Sequence, residues 1–233
     1  MIDKLRKDIL DLADQKRGES MQGFFRVKDR AKGDMFLGLT VPKCRMLAKK
    51  YKDLSTQAIQ KILESDIHEE RLIALFILVG KFEKADETLR AEIYNFYLGN
   101  KDYVNHWDLV DSSAHKILGE FLRDKNKKIL VDLANSKIWW ERRMAIISTF
   151  QFLIKDRNFK ETKKIARILI NDNHDLIQKA VGWMLREGGK RVSQVELEEF
   201  LKGTYKSMPR TMLRYSIEKF TEDKRKKYLR GEV

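Results

Sequence analysis

Residues 70–76, ERLIALF, return later in the chain at residues 141–147 as ERRMAII. A looser copy follows at residues 177–183, IQKAVGW. Ala145 lies 71 residues after Ala74 and 35 residues before Ala180, so the spacing is about 35 residues or twice that. Repeats of this length are typical of stacked helix pairs, because one pair cannot bury its apolar face alone.

The repeat predicts an all-α solenoid, which we expect to form one continuous domain over residues 1–233. The chain has only two prolines and no Pro/Gly/Ser-rich linker that would divide it. Stacked helix pairs curve and present one concave surface to a partner. Equivalent positions of successive repeats meet on that surface, so we expect Asp111, Arg143 and Trp183 to be able to form one site.

Apolar residues recur at helical spacing almost throughout, and no alternating run supports a sheet. The pattern weakens between Gly18 and Gly38, where the charged segment 28–34 is predicted to be a loop. Pro42 suits the first turn of a helix, and Ser55 suits a helix cap. Further helices are predicted near residues 67–83, 86–98, 105–123, 126–135, 138–155, 159–171, 174–188, 193–203 and 208–220, followed by a solvated, charged helix from residue 222.

The composition is strongly basic, with 48 Lys and Arg against 35 Asp and Glu, a net charge of +13 and a pI near 9.6. Such a balance favours a polyanionic partner, either nucleic acid or an anionic membrane surface, although it also serves solubility alone. A single cysteine, Cys44, excludes an internal disulfide and favours a reducing compartment. We find no signal-like or bilayer-spanning apolar run, so we expect a cytoplasmic protein.

Metal and cofactor chemistry finds little support in the motifs. The four histidines are scattered, and residues 68–71, HEER, lack the second histidine of a zinc-protease helix. Cys44 has no cysteine partner for a thiolate zinc site, and no Gly-rich phosphate loop is present. We therefore expect neither a metal nor a cofactor. Cys44 fits a buried structural role better than an activated thiol, although Lys43 and Arg45 flank it.

The segment 105–113, NHWDLVDSS, is unusual for a repeat core. Trp107 and Asp111 are four residues apart, so they share one face of a helix. That face carries a carboxylate where a core needs apolar residues. The structural alternative is that Asp111 caps the helix or pairs with a neighbouring arginine.

The next repeat positions carry arginines and tryptophans. Trp139 and Trp140 are predicted to be packing residues. Arg142 and Arg143 suit pairing with Asp108 or Asp111 across the stack, and their forked guanidinium groups suit a phosphate equally well.

Within residues 178–187, QKAVGWMLRE, a glycine interrupts a helical pattern. Gly182 costs a helix about 1 kcal/mol relative to alanine, so it is expected to permit close approach of another backbone or a bulky ligand. Trp183 fits the core or an aromatic position on the concave face.

Taken together, these segments resemble the AlkD-type DNA glycosylases of alkylation repair. Residues 35–42, MFLGLTVP, are similar to the N-terminal signature of that family, and residues 208–215, MPRTMLRY, to its C-terminal signature. The resemblance spans most of residues 20–230, with Trp107-x-x-x-Asp111 and residues 182–187 as its most specific pieces. It implies a right-handed, C-shaped α-solenoid of HEAT-like helix pairs, with double-stranded DNA bound in a basic concave groove.

The resemblance also implies an activity, the excision of cationic alkylated purines such as 7-methylguanine and 3-methyladenine from DNA by a monomer. Trp107 and Asp111 match the active-site tryptophan and carboxylate of the family, and Trp183 its second tryptophan. Arg143 matches its groove arginine, and Phe24 is nearest to an aromatic position close to the N-terminus. Arg186 matches a basic contact, and further phosphate contacts are expected from Lys179, Lys190, Arg210 and Arg214.

Physical chemistry explains why this set of residues suits the reaction. Departure of a cationic base leaves oxocarbenium character on the deoxyribose, as in glycoside hydrolysis. A carboxylate such as Asp111 stabilises that charge and orients water. Each tryptophan face adds about 0.5–2 kcal/mol of cation–π attraction. Arg143 would hold a flanking phosphate.

Two other functions are compatible with the sequence. One is a relative that binds damaged or branched DNA without excision, and the other is a protein-interaction scaffold.

The resemblance to the glycosylases further implies that the lesion stays in or near the base stack, whereas most glycosylases flip the base into a pocket.

Overall fold

The computed structural model describes residues 1–24 and 34–233, so the predicted loop of segment 28–34 lies outside the described residues except for Asp34. The described chain packs as two compact units, Met1–Ser113 and Ala114–Val233. The single domain over residues 1–233 stays a prediction.

The first unit is built from helices that follow one another closely. They are α1 (Ile2–Asp11), α2 (Gln15–Phe24), α3 (Val41–Lys50), α4 (Thr56–Leu63), α5 (His68–Lys84), α6 (Glu87–Gly99) and α7 (Trp107–Ala114), with a 3₁₀ turn at Lys101–Tyr103. The long helix α5 packs against α3, α4 and α6 and supplies much of the core. Among the described residues, β pairing is limited to an isolated bridge between Met35 and Ile67.

The second unit repeats the same kind of packing. A π-helical turn (His115–Gly119) continues α7 and is followed by α8 (Lys128–Ala134), α9 (Trp139–Ser148), α10 (Phe150–Lys155), α11 (Lys160–Ile168), α12 (Asp175–Arg191), α13 (Gln194–Lys202), α14 (Arg210–Ser216) and α15 (Glu222–Arg230). The long helix α12 packs against α9, α10, α11, α13 and α14. In both units a long central helix is covered by helices near it in sequence, as in an α-solenoid. The predicted all-α class is confirmed.

Side-chain caps fix several helix starts. Ser55 accepts a hydrogen bond from Ala58 N (3.3 Å), which confirms it as the cap of α4. Thr40 caps α3 in the same way, with Pro42 in the first turn as predicted. Each cap satisfies a backbone N–H that the helix itself leaves without an acceptor.

The repeat is visible in matching hydrogen bonds at three helix starts. In each, a side chain donates to the backbone carbonyl six residues earlier: Arg71 to Ser65 O (2.7 Å), Arg142 to Ser136 O (3.0 Å) and Gln178 to Asp172 O (2.9 Å). These bonds align Gln178 with Arg142, a spacing of 36 residues. Val181, rather than Ala180 as the sequence suggested, is therefore the counterpart of Ala145.

The structure differs from the predicted helices in three places. Helix α2 was missed, because Gly18 weakens its pattern; Gly18 is needed there, since a Cβ would lie 2.6 Å from Phe36 O. The helix predicted over 138–155 is divided at Thr149, whose Oγ1 donates to Ile146 O (2.7 Å). The helix predicted over 105–123 changes to π geometry at His115, and its Gly119 lies tightly against the Ser148 carbonyl.

Across residues 1–24 and 34–233, the helices lack the length and apolar character that crossing a bilayer requires.

Candidate functional site

A cavity of about 420 Å³ opens in the first unit, within the size range typical of small-molecule sites. Three predicted site residues line it together: Phe24, Trp107 and Asp111. Trp107 and Asp111 lie one turn apart on α7 and are both half-buried, whereas Phe24, at the end of α2, is 72% exposed. The cavity wall also contains Arg17 and Arg45. The predicted one-face arrangement of Trp107 and Asp111 therefore faces an open space.

The charge of Asp111 also acts on the core beneath it. Tyr97 is fully buried, and its hydroxyl lies 2.8 Å from Ser113 Oγ. Burial raises the pKa of Tyr97, and the negative charge of Asp111 raises it further. A neutral Tyr97 hydroxyl therefore anchors the helix that carries Asp111.

The first turn of α5 carries four consecutive polar residues, His68 to Arg71, that are all buried. Glu69 accepts hydrogen bonds from the backbone amides of residues 37–39, at 3.0, 2.8 and 3.2 Å. Glu70 accepts two hydrogen bonds from the guanidinium of Arg6 on α1, in a bidentate ion pair (3.0 and 3.2 Å). Arg71 pairs with Asp34 at 2.5 Å. This turn therefore ties α1 and the segment 34–40 to α5.

His68, the first of these residues, points to α7 and forms part of the cavity wall. Its Nε2 lies 2.8 Å from Asp108 Oδ2, and His106 Nδ1 lies 2.6 Å from Asp108 Oδ1. Burial raises the pKa of Asp108, but the charges of His68 and His106 and their hydrogen bonds outweigh it and hold that pKa well below its usual range. Asp108 is thus an ionised carboxylate beside the cavity.

These three residues also form the one grouping in the described chain with metal-ligand atoms close together, within 4.8 Å of one another. The hydrogen bonds argue against a resident metal. Arg71 Nη2 approaches His68 Nδ1 at 3.5 Å, which favours the proton on Nε2, the atom that a metal would need. A metal-ligating histidine normally donates its other ring N–H to an acceptor, and a guanidinium is not one.

Sequence reasoning missed His68, His106 and Asp108 as site residues. A signal was present in residues 68–71, four polar side chains that directly precede eight apolar residues at positions 72–79. Buried polar residues need partners. What the sequence did not show was that the partner of His68 would be Asp108, forty residues away.

Arg142 and Arg143 lie on α9 in the second unit. Arg142 pairs with Asp172 (2.6 Å). The partner of Arg142 is therefore neither Asp108 nor Asp111, the two carboxylates that the sequence had suggested. Arg143 is only 5% exposed and donates through Nη1 to Leu176 O, at the start of α12. This hydrogen bond uses one of the five N–H donors of the Arg143 guanidinium.

Trp183 lies on α12, half-buried, with its ring 6.0 Å from that of Phe150. The preceding Gly182 is packed against α14, since a Cβ there would lie 2.6 Å from Met212 O. Of the two explanations for this glycine, the close approach of another backbone is the one observed. Trp139 stacks on His174 (4.9 Å, 13°), in agreement with its predicted packing role.

The remaining predicted phosphate contacts differ in their surroundings. Lys190 and Arg214 are exposed, and Arg210 is exposed while donating to Leu229 O (2.7 Å). Lys179 pairs with Asp175 at 3.6 Å. Arg186 is less accessible and is paired with both Glu187 and Glu218. A phosphate would compete with two carboxylates for Arg186.

The family model described as "DNA alkylation repair enzyme" matches residues 5–220. No curated protein matches the chain at a significant level. Among solved structures, a predicted DNA alkylation repair enzyme from Enterococcus faecalis superimposes with a TM-score of 0.67 at 16% identity, over 90% of this chain and 97% of that one. That likeness shows a shared fold. Because the family model covers nearly the whole chain, this protein belongs to the DNA alkylation repair enzyme family.

Proposed function

We propose that this member of an alkylation repair family is a DNA glycosylase, which hydrolyses the N-glycosidic bond of cationic alkylated purines such as 7-methylguanine and 3-methyladenine in double-stranded DNA. The observation that carries the proposal is the shared cavity of Phe24, Trp107 and Asp111. It combines a carboxylate with two aromatic side chains on a basic protein, which is the chemistry that a cationic leaving group and a polyanionic substrate require.

Asp111 is the proposed catalytic carboxylate. Alkylation of a purine ring nitrogen makes the base a good leaving group, and positive charge grows on the deoxyribose as the bond breaks. An ionised carboxylate near that sugar stabilises the transition state more than the ground state, and it can orient the attacking water. Asp111 is half-buried at the cavity wall, so its charge is partly desolvated and still accessible.

Aromatic residues of the first unit add to the proposed site. Trp107 would present an electron-rich face to the cationic nucleotide, and Phe24 would add a ring without a hydroxyl hydrogen bond. In the second unit, Trp183 is proposed as a further aromatic contact and Arg143 as a phosphate contact. Further contacts to the DNA backbone are proposed for Lys179, Arg186, Lys190, Arg210 and Arg214.

We further propose that the lesion is processed without full insertion of the base into a pocket. The substrates are then limited by charge rather than by size, so bulky cationic adducts would be accepted. Neutral lesions need protonation to leave. The one imidazole in the cavity wall, His68, directs its ring nitrogens towards Asp108 and Arg71 rather than serving as a proton donor to a base.

The test is release of 7-methylguanine from methylated duplex DNA under single-turnover conditions. We expect release by the wild type and a loss of roughly 100- to 1000-fold in Asp111→Asn, the scale of losing one main electrostatic group. Asp102→Asn is the matched control, because Asp102 is a surface carboxylate of the same unit, 73% exposed. If the wild-type protein releases no alkylated base, the proposed glycosylase activity is refuted. Salt-dependent DNA binding in that case would support the alternative of a DNA-binding protein without excision activity.

A further inference from the structure

A buried chain of hydrogen bonds connects the segment before α3 to the first turn of α7. Asp34 Oδ1 pairs with Arg71 (2.5 Å), and Arg71 Nη2 approaches His68 Nδ1 at 3.5 Å. His68 Nε2 meets Asp108 Oδ2 at 2.8 Å, and Asp108 Oδ1 meets His106 Nδ1 at 2.6 Å. Asp108 lies between Trp107 and Asp111 on α7, so the chain ends beside the proposed catalytic pair.

The direction of each hydrogen bond follows from the groups involved. A guanidinium only donates, so its contact with Nδ1 leaves Nε2 as the ring nitrogen of His68 that donates to Asp108. An ionised carboxylate only accepts, so His106 donates through Nδ1. The backbone N–H of Leu109 gives Asp108 Oδ1 another donor, at 2.8 Å. Asp108 therefore collects donors from three directions, which fixes both of its oxygens.

Burial makes this network costly to disrupt. His68 and His106 are 1% and 0% exposed, and the Asp108 side chain is 19% exposed. A buried polar group that loses its partner destabilises the structure. Phe36 stacks on His68 (4.7 Å, 26°), so the imidazole ring is held by packing as well as by hydrogen bonds.

We propose that His68, Asp108 and His106 are positioning residues, which lock the first turn of α7 and thereby hold Trp107 and Asp111 in the geometry for base release. This inference rests on the proposed function. The three residues are not assigned as catalytic residues, because His68 Nε2 and His106 Nδ1 both face the Asp108 carboxylate. Displacement of a catalytic group by about 1 Å can cost a factor of roughly 100 in rate, so the rate depends on the network even without contact to substrate.

The protonation pattern can be tested without any activity. Two-bond ¹H–¹⁵N spectra of the wild-type protein report the tautomer of each of its four histidines. We expect a proton on His68 Nε2 and on His106 Nδ1, with the signals assigned from His68→Phe and His106→Phe. A bare Nε2 in His68 or a bare Nδ1 in His106 would overturn the network.

The positioning role is tested by two substitutions at one residue. His68→Phe keeps a ring against Phe36 and removes the donor, while His68→Gln retains a donor close to the position of Nε2. We expect His68→Phe to lower the single-turnover rate of 7-methylguanine release by roughly 10- to 100-fold with unchanged affinity for undamaged duplex DNA, and His68→Gln to recover most of the rate. Equal rates in both variants at equal melting temperature would contradict the proposal.

A double-mutant cycle separates a network from independent contacts. If His106 and His68 act through Asp108, the rate losses of His68→Phe and His106→Phe should fail to multiply in the double variant. Losses that multiply would overturn the shared mechanism.

The failure of the proposed function would be distinguishable from the failure of the network. With 5-fluorotryptophan, the ¹⁹F resonance of Trp107 should shift or broaden in His68→Phe and return in His68→Gln, whether or not the wild type releases a base. A resonance that does not respond to His68→Phe would refute the positioning role, and absent base release by the wild type would refute only the activity.

Discussion

Gly38 N donates a hydrogen bond to Glu69 Oε1 over 2.8 Å, and this bond fixes a backbone turn that only glycine adopts readily. Gly38 has φ +81°, and the amides on either side of it also donate to Glu69. A single buried carboxylate thus holds three successive N–H groups of the segment between α2 and α3, and it does so from the first turn of α5.

Replacing Glu69 should therefore destabilise the protein strongly. Glu69→Gln has the same shape but turns an N–H₂ donor towards backbone donors, so we expect the free energy of unfolding to fall by roughly 2–5 kcal/mol. Urea denaturation followed by circular dichroism measures the free energy of unfolding. Glu83→Gln, at an exposed position of the same helix, is the control and should change stability by less than about 0.5 kcal/mol. Similar effects of both changes would contradict this role of Glu69.

The two helix glycines Gly182 and Gly80 should respond in opposite directions to alanine. A Cβ at Gly182 would lie 2.5 Å from Tyr215 Cβ and 2.6 Å from Met212 O, so Gly182→Ala must push α14 away and should cost about 1–3 kcal/mol. A Cβ at Gly80 meets nothing within 4 Å, so Gly80→Ala should gain up to about 1 kcal/mol from helix propensity. Midpoints of urea unfolding compare the two, and a stabilised Gly182→Ala would refute the close contact.

Cys44 should be an unreactive thiol in the folded protein. Burial raises the pKa of Cys44 to about 12, and the charges of Glu69 and Asp108 add to this effect. An unfolded thiol ionises near about 8.5, so the contribution of Cys44 to stability is complete below that pH and declines as the pH rises towards the folded pKa. At pH 8 a disulfide reagent should label the thiol slowly in buffer and rapidly in denaturant. Fast labelling of the native protein would show that the thiol is accessible.

Arg214 and Arg186 should differ in their contribution to DNA binding. Arg214 is exposed, whereas Arg186 is already paired with Glu218 and Glu187. A phosphate contact contributes about 0.9 to the slope of log affinity against log salt. We expect Arg214→Ala to lower that slope by about 0.9 and Arg186→Ala to lower it by less, in a fluorescence anisotropy titration with duplex DNA. The reverse order would mean that DNA displaces the carboxylates of Arg186.

The sequence by itself determined the helical class and the repeat, because apolar spacing and cap residues are local signals. It also placed Trp107 and Asp111 on one face of α7, since a spacing of four residues fixes that relation in any helix. It did not predict α2, because the pattern of apolar residues says nothing of the close approach that Gly18 permits.

Only the tertiary structure decided which polar residues meet. Arg71 reaches Asp34 across 37 positions and His68 reaches Asp108 across 40, and Phe24 joins Trp107 and Asp111 at one cavity. Periodicity assigns a residue to a face of its own helix, but the partner of that face depends on how helices pack. The buried charges of α5 are satisfied by side chains distant in sequence, and such pairs leave no local trace.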